Sequence, residues 1–353
     1  MRPFFSIIIP CCDVEPYVRE CLDSVIRQDY QDWECLVGVE TSKDKTEDIV
    51  REYAAKDARI RIFTGPRSGS CSASRNTGTD MAMGEYIIFL DGDDAIAEGS
   101  LRRIRDKIEA RPGGDLYPCA LVVHNELTGD RTEVRDNYPE DFSKELTGPA
   151  ATILLERRFA KTFPCPMLQL TVFRRAFLVE HDLKCIYGLR HQDSEFSPRA
   201  LYLAKRVIPI HEPFYLYRIR ENSVQTEAGK AGRFHKDLAI RLKSLIDFHA
   251  RVSREPGFDK RISQAWAHRW TTTIFRMWFA PGSVNTVPLG TRADTFDIIF
   301  ADGTENFETL LKSASLPVRM GGWWVDKCAK SNSWRRLAEL FFRVLYFPLL
   351  SRL

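Results

Sequence analysis

The sequence lacks the segments that mark membrane-spanning and secreted proteins. No run reaches the roughly 18 apolar residues of a transmembrane helix. The apolar run at 4–9 is broken by Pro10 and Asp13 too soon to serve as a signal peptide. The nine cysteines include no CxxC pair, and most lie in apolar surroundings, which is typical of buried thiols in a reducing compartment. We therefore expect a cytoplasmic protein without a transmembrane segment.

Motifs of several common binding proteins are also absent. No GxGxxG follows the first apolar run and no GxxxxGK[ST] occurs. The sequence therefore disfavours a dinucleotide-binding site of the Rossmann type and a P-loop nucleotide site. The seven histidines show no HExxH or zinc-type spacing. The net charge of +3, from 51 basic and 48 acidic residues, is too balanced for a general nucleic-acid binder. We expect no nucleic-acid partner.

What is present is an alternation of two hydrophobic periods in the first 125 residues. Short apolar runs predict strands, with helical periodicity between them, at 5–9, 33–39, 60–63, 86–90 and, more weakly, 116–123. This alternation predicts an α/β fold with a mainly parallel sheet flanked by helices. Ligands of such sheets bind beyond the carboxyl ends of the strands. The residues to consider are therefore 10–13, 40–44 and 91–94.

The pattern changes along the rest of the 353 residues. A polar, hairpin-like excursion is predicted at 125–150, and strands are predicted at 207–210 and 214–218. From about residue 228 the periodicity is helical, with helices predicted at 233–252, 260–279 and 304–313. We predict an α/β domain at 1–225 and a helical C-terminal region at 226–353.

Three carboxylates, Asp91, Asp93 and Asp94, follow the fourth predicted strand. Clustered carboxylates beside a buried strand repel one another, so a divalent cation is their natural partner. Since one loop supplies few ligands, we expect Mg²⁺ or Mn²⁺ to complete its shell with water and substrate phosphates. The alternative is a polar turn that caps the next helix. A Ca²⁺ loop is disfavoured, because no glutamate follows at the twelfth position.

Arg75 precedes the fourth strand and is a candidate to neutralise a diphosphate. The alternative is a solvated helix residue. Four segments around these residues occur in a characteristic order: SIIIP at 6–10, YVRECLDSV at 17–25, SASRN at 72–76 and GEYIIFLDGDD at 84–94. They closely resemble the family 2 glycosyltransferases with the GT-A fold. HQDSEF at 191–196 looks like the ED-x-x-F segment of that family, and YLYRIR at 215–220 resembles its tyrosine-rich strand. The resemblance covers roughly residues 4–225.

The resemblance implies an inverting transfer of a sugar from a nucleotide-sugar to an acceptor hydroxyl. Asp91 would lie by the ribose and Asp93 would hold the cation that bridges the diphosphate, with Asp94 in direct or water-mediated contact. Asp193 matches the catalytic base, which removes the proton of the acceptor hydroxyl. The alternative for Asp193 is a helix N-cap, a role compatible with that of a base.

The resemblance also implies a donor-binding set, whose members are Pro10, Cys12, Asp13, Glu40, Arg75, Asp91 and Gly92. Several positions depart from the family pattern. Cys12 and Asp13 replace an aromatic residue and an asparagine, and Gln192 replaces the acid before the base. Glu40 stands in VETS where the family has Asp-Asp-Gly-Ser. Its carboxylate would still accept a hydrogen bond from a uracil-like N–H, which favours a UDP-sugar.

The C-terminal stretch 334–347 predicts a basic helix with a broad aromatic and aliphatic stripe. Such a helix suits an anionic membrane surface. It would hold the enzyme at the inner face of the cell membrane, close to a lipid-linked acceptor. The alternative is a terminal helix that packs its stripe on the catalytic domain.

The sequence therefore predicts a metal-dependent glycosyltransferase of hexosyl or N-acetylhexosaminyl type. It would act on a glycan or lipid-linked acceptor in bacterial surface-polysaccharide synthesis. One alternative is a sugar-phosphate nucleotidyltransferase, but the expected glycine-rich basic loop after the first strand is not present in PCCDV at 10–14. The other is a non-catalytic sugar-nucleotide-binding scaffold with a decayed donor site. Cys12 and Val39 favour it, whereas the intact Asp91, Asp93 and Asp193 oppose it.

Overall fold

The computed structural model describes residues 2–125, 131–135, 140–159, 168–220, 231–279, 292–312, 314 and 316–331. The chain divides into two compact units. One comprises Met1–Ala151 with Pro164–Thr226, and the other comprises Thr152–Phe163 with Glu227–Leu353. The assignment of catalysis to 1–225 stays a prediction.

Within the described residues, the strands all belong to the first unit. They are β1 (Phe5–Cys11), β2 (Trp33–Glu40), β3 (Ile60–Gly65), β4 (Tyr86–Phe89), β5 (Ala95–Ile96), β6 (Leu116–Pro118), β7 (Ala120–Asn125), β8 (Arg131–Arg135), β9 (Thr171–Arg174) and β10 (Pro213–Ile219). One sheet has the order β3-β2-β1-β4-β9-β6, and the other has the order β5-β10-β7-β8. In the first sheet β1–β4 are parallel, and β9 is antiparallel to both of its neighbours.

Helices flank the larger sheet and make up the second unit. Those before residue 204 are α1 (Glu15–Ile26), α2 (Thr46–Lys56), α3 (Ser72–Met81), α4 (Ser100–Ala110), α5 (Gly148–Phe159), α6 (Arg175–Glu180) and α7 (Asp193–Leu203). The second unit contains α8 (Ala231–Val252), α9 (Lys260–Phe279), α10 (Arg292–Ile299), α11 (Glu305–Leu311) and α12 (Leu316–Lys330). The predicted α/β class with a helical C-terminal region is confirmed.

The local sequences explain why these elements form and pack. β1 reads FSIIIPC and is buried throughout, as expected for a strand covered on both faces. α3 is rich in small residues, and a Cβ at Gly78 would stand 2.5 Å from the Ile8 Cγ2 atom. Because glycine occupies this position, α3 lies directly on β1, which places the side chain of Arg75 over the sheet edge.

Some predicted elements differ from the structure. The run 116–123 forms two strands, because Cys119 separates β6 in one sheet from β7 in the other. The strand predicted at 207–210 is wrong, since only isolated bridges to Val207 form there. Among the described residues no helix has the length and apolarity to cross a membrane. The predicted stripe 334–347 lies outside the described residues.

Candidate active site

The candidate site lies at the carboxyl ends of the parallel strands in the first unit. β1 pairs in parallel with β2 on one side and with β4 on the other, so the residues after these strands share one edge. A Cβ at Gly92 would stand 2.9 Å from the Cys11 Sγ and 3.0 Å from the Pro10 carbonyl oxygen. A glycine is therefore needed for the loop after β4 to approach β1, and the structure brings Pro10 and Gly92 together.

Asp91 is held by side chains from two distant parts of the chain. The Arg75 guanidinium donates to its Oδ1 atom, and Gln169 Nε2 donates to Oδ2 over 2.7 Å. Arg75 is only 3% exposed, so the alternative of a solvated helix residue is wrong. A buried guanidinium requires a paired negative charge, and Asp91 supplies it. The predicted residues Arg75 and Asp91 thus form one ion pair.

Asp93 pairs with Arg220, the residue that follows β10. Arg220 Nε and Nη2 donate to the Oδ2 atom of Asp93 over 3.0 and 2.8 Å. Among the described residues, no other side chain donates a hydrogen bond to the Asp93 carboxylate. Burial and the Asp91 charge raise the pKa of Asp93, and Arg220 opposes that rise.

Asp94 is buried and joins the loop to β10. Its Oδ2 atom accepts from the Tyr215 hydroxyl over 2.6 Å, and its Oδ1 atom accepts from the Arg218 backbone N–H over 2.8 Å. The Tyr215 hydroxyl also accepts from the Asp91 N–H over 3.2 Å. Burial and the charges of Asp93 and Asp91 raise the pKa of Asp94 well above its usual value. The Asp94 carboxylate therefore serves the internal structure of the loop.

A divalent cation fits Asp93 better than the predicted set of Asp91, Asp93 and Asp94 acting together. Within the described ranges, no three His, Cys, Asp or Glu side chains are arranged to hold a metal ion. The three carboxylates do not converge because each is directed to its own partner. Both bonds from Arg220 reach one oxygen of Asp93, and its side chain is 28% exposed, whereas Asp94 is buried. One protein carboxylate, completed by water and phosphate, is an arrangement that Mg²⁺ accepts.

Asp193 is the first residue of α7, so it is not the N-cap. The N-cap is Gln192, which makes no side-chain capping hydrogen bond. In the amide orientation that satisfies its neighbours, Gln192 Nε2 donates to the Leu189 carbonyl over 2.7 Å and Oε1 accepts from Arg75 Nη1. Asp193 itself is half-buried. Among the described residues, none forms a hydrogen bond or ion pair with its carboxylate.

Arg75 therefore connects the loop 91–94 after β4, called the aspartate loop below, to the start of α7. One face of its guanidinium pairs with Asp91 and another nitrogen donates to Gln192, directly before Asp193. Tyr217 of β10 lies near the same groups. Burial raises its pKa most, and the charges of the aspartate loop and of Asp193 raise it further. The structure thus brings the predicted base and the predicted donor site to one edge of the sheet.

The remaining predicted donor residues lie in loops that are tied to each other. Asp13 has a left-handed φ of 53°, and its carboxylate accepts from the Lys43 N–H and from Arg67, each over 2.6 Å. Glu40 is buried, and its two oxygens accept from the Ser68 N–H over 2.8 Å and the Ser68 hydroxyl over 2.6 Å. Recognition of a base by Glu40 would have to share these hydrogen bonds.

Cys12 is partly exposed in the same region. Its Sγ donates to the Thr41 carbonyl over 3.8 Å. This contact and the hydrogen bonds of Asp13 hold the loop after β1 against the loop after β2. The structure thus places Cys12 and Asp13, which follow β1, close to Glu40 at the end of β2.

Sequence reasoning assigned no role to several residues that shape the site. They are Gln169, Tyr215, Arg218 and Arg220. The last three lie in the segment 215–220, and its resemblance to the tyrosine-rich strand of the family was the signal for them. Gln169 gave no signal, since nothing in the sequence indicates that the segment before β9 reaches Asp91.

The chain is similar to known glycosyltransferases. A family model described as Glycosyl transferase family 2 matches residues 6–170. The uncharacterized glycosyltransferase EpsJ of Bacillus subtilis is 32% identical over 229 residues, which cover 64% of this chain and 63% of EpsJ. An uncharacterized glycosyltransferase of Haemophilus influenzae is 37% identical over 176 residues, which cover 47% of this chain and 68% of that protein. The minor teichoic acid biosynthesis protein GgaB of Bacillus subtilis is 26% identical over 251 residues, which cover 69% of this chain and 26% of GgaB. The chain thus matches less than two thirds of the length of EpsJ.

Solved structures share the fold. The crystal structure of S. aureus TarS 1–349 in complex with UDP has a TM-score of 0.69 at 19% identity, over 96% of this chain and 91% of that chain. The mannosyltransferase PcManGT from Pyrobaculum calidifontis, in complex with GDP-Man and Mn²⁺, has a TM-score of 0.52 at 17% identity. The match covers 98% of this chain and 86% of that one.

Proposed function

This chain belongs to glycosyltransferase family 2, and from that premise we propose that it transfers a sugar from a nucleotide-sugar to a hydroxyl of a cell-surface glycan acceptor. The observation that carries the proposal is the bridge made by buried Arg75 between Asp91 and Gln192. It links the loop that would hold the donor to the residue before the base. The teichoic acid protein GgaB supports an acceptor of the cell surface.

The proposed reaction is a single displacement with inversion. Asp193 accepts the proton of the acceptor hydroxyl while that oxygen forms a bond to the anomeric carbon. The bond between the anomeric carbon and the donor diphosphate breaks on the opposite side, and the nucleoside diphosphate leaves with the electron pair. A half-buried carboxylate without a partner among the described residues suits this role, and one positioned base contributes roughly 10²–10⁴-fold.

The proposed cofactor is Mg²⁺ or Mn²⁺ at Asp93. When bound, the cation acts as a Lewis acid that stabilises negative charge on the diphosphate. The chain itself contributes Arg75, which fixes Asp91 for contact with the ribose, and Gly92, which lets the loop lie against β1. The Mn²⁺ and GDP-Man of PcManGT are consistent with this arrangement, as is the UDP of TarS.

The proposed donor is a UDP-sugar of hexosyl or N-acetylhexosaminyl type. Glu40 retains a carboxylate at the expected end of β2, and each of its oxygens has a further lone pair beside the bond from Ser68. A panel of UDP-, GDP-, dTDP- and CMP-sugars tests the choice. The proposal expects one donor to release nucleotide with Mn²⁺ or Mg²⁺ and to stop doing so with EDTA or in Asp93→Ala.

The decisive experiment combines turnover with calorimetric donor binding in Asp193→Asn. The amide keeps the shape of the carboxylate but does not accept the proton, so we expect turnover to fall by roughly 10²–10⁴-fold. Donor affinity should stay close to that of the wild type. Equal turnover in both proteins would refute the role of Asp193. Wild-type protein that binds a donor but never turns it over with any glycan or lipid-linked acceptor would favour the scaffold alternative.

A further inference from the structure

Arg220 is fixed beside the residue proposed to hold the cation. Two of its nitrogens donate to the same oxygen of Asp93, and its guanidinium carbon lies 4.8 Å from the ring centroid of Tyr17. The side chain of Arg220 is 16% exposed and that of Asp93 is 28% exposed. The guanidinium thus lies at the surface of the site, where a ligand of the aspartate loop would reach it.

Arg218, two residues earlier, provides an internal comparison. Its guanidinium also lies over Tyr17, at 5.2 Å. It donates to the Asp93 carbonyl over 2.9 Å and pairs with Glu20 over 2.6 Å. Arg218 is therefore neutralised by a carboxylate outside the aspartate loop. Arg220 instead pairs with a carboxylate that a divalent cation would need.

A guanidinium and a divalent cation at one carboxylate repel each other. Coulomb energy between like charges a few ångströms apart is several kcal/mol even at an effective dielectric constant of about 20. Arrival of a cation at Asp93 would therefore weaken its hold on Arg220. The diphosphate of a nucleotide-sugar carries at least two negative charges and arrives at the same place. Arginine is well suited to phosphate oxygens because its donors form a planar fork.

We propose that Arg220 binds the donor diphosphate and is held ready for it by Asp93, which exchanges the guanidinium for the cation when metal and donor arrive together. This inference rests on the proposed function. Arg220 occupies the carboxylate in the free protein, so it competes with metal alone. When metal and donor are both bound, Arg220 contacts the diphosphate, so it stabilises the complex that contains both ligands. The two ligands are thereby coupled, and each raises the affinity of the other.

The test is the Arg220→Gln variant, studied by Mn²⁺ binding in electron paramagnetic resonance and by UDP and GDP binding in calorimetry. Without nucleotide, we expect Mn²⁺ to bind about threefold to tenfold more tightly than in the wild type, since a competing cation is removed. With saturating Mn²⁺, we expect the nucleotide diphosphate to bind about tenfold more weakly, as for a lost charge-assisted hydrogen bond. The opposite signs distinguish this role from simple damage, which would weaken both.

Two further variants control the experiment. Arg220→Lys keeps the charge and should restore part of the nucleotide affinity. Arg103→Gln removes an ion pair with Glu212 elsewhere in the same unit, where Lys107 still pairs with that acid, and should change neither affinity. Shifts of both affinities in the same direction in Arg220→Gln, or no shift in either, would overturn the proposal. Failure of the proposed function would look different, because the wild-type protein would then bind neither UDP nor GDP in the presence of metal.

Discussion

Gly92 shows how a single residue without a side chain positions charged neighbours. It lies between Asp91 and Asp93, and the two nearest atoms that a Cβ would meet belong to the end of β1. The backbone carbonyl of Pro10 is not free to move without disturbing a strand that is buried throughout. The close approach is thus a condition for the geometry of the whole aspartate loop.

We predict that Gly92→Ala lowers the free energy of unfolding of the first unit by roughly 1–3 kcal/mol, the usual cost of overpacking. It should also weaken Mn²⁺-dependent UDP binding, because the loop must move away from β1. Urea unfolding and calorimetry measure the two effects. Gly65→Ala is the matched control, since a Cβ there meets nothing within 4 Å, and it should be neutral in both. Equal behaviour of the two variants would contradict the importance of the close approach.

At the scale of elements, β10 is the support of the aspartate loop. The Tyr215 hydroxyl donates to Asp94 and accepts from the Asp91 N–H, while the backbone of Arg218 donates to Asp94. Because β10 lies in the second sheet, these hydrogen bonds join the loop to a strand far along the chain. Loss of the hydroxyl would leave a buried carboxylate oxygen and a backbone N–H without this partner.

We therefore predict that Tyr215→Phe lowers the free energy of unfolding by roughly 1–3 kcal/mol, the desolvation cost of buried polar groups without a partner. Tyr217→Phe, two positions along the same strand, is the matched control. Among the described residues none is hydrogen-bonded to the Tyr217 hydroxyl, so its removal should change stability by less than about 0.5 kcal/mol. Denaturant unfolding compares the two variants. A smaller effect at Tyr215 than at Tyr217 would refute the support role of β10.

The predicted C-terminal helix at 334–347 lies outside the described residues, and its binding to membranes can be tested directly. If 334–347 binds an anionic membrane, reversing Arg335, Arg336 and Arg343 to glutamate should reduce co-sedimentation with phosphatidylglycerol vesicles by at least about tenfold, since each basic residue contributes about 1 kcal/mol. Phosphatidylcholine vesicles should bind weakly in both cases. Reversal of the exposed Arg19, Arg27 and Arg51 is the charge-matched control. Equal loss in the two triple variants would indicate a net-charge effect and not a binding helix.

How closely a strand was predicted from the sequence depends on the length of its apolar run. β1, β2 and β4 are continuous apolar runs with turn residues at their ends, so their positions were predicted closely from periodicity. β9 is a four-residue strand inserted antiparallel between β4 and β6, and so short a run carries no periodic signal. The predicted strand at 207–210 contains Pro209, which removes a ladder donor, and it forms bridges only at Val207.

At the scale of the whole molecule, the site combines residues from widely separated parts of the sequence. The aspartates, Arg75 and Asp193 were identified from motifs, because each follows a recognisable segment. Their partners Gln169 and Arg220 were not, since pairing across 78 and 127 positions is decided by the topology of the two sheets. Local sequence patterns therefore identify the charged residues of the site. The fold determines which of these residues pair with each other.

In the second unit, the buried side chain of His249 makes the stability of the protein depend on pH. His249 of α8 is fully buried, its Nε2 atom lies 2.8 Å from the Ser263 hydroxyl, and its ring packs edge-on against Trp266. Burial lowers the pKa of His249 from 6.5 to about 4. As pH falls from 6.5 towards 4, the unfolded chain binds a proton that the folded chain does not bind. Stability is therefore highest above pH 6.5 and falls through this window.

We predict that His249 alone removes up to about 3 kcal/mol between pH 7 and pH 4. His249→Gln keeps a polar group for Ser263 but does not titrate, so its stability should fall less over the same range. Thermal unfolding followed by tryptophan fluorescence, which reports on the stacked Trp266 and Trp270, measures the difference at each pH. His268→Gln removes an exposed imidazole from α9 and should keep the wild-type profile. Parallel profiles for wild type and His249→Gln would mean that the buried imidazole does not set the acid sensitivity of this unit.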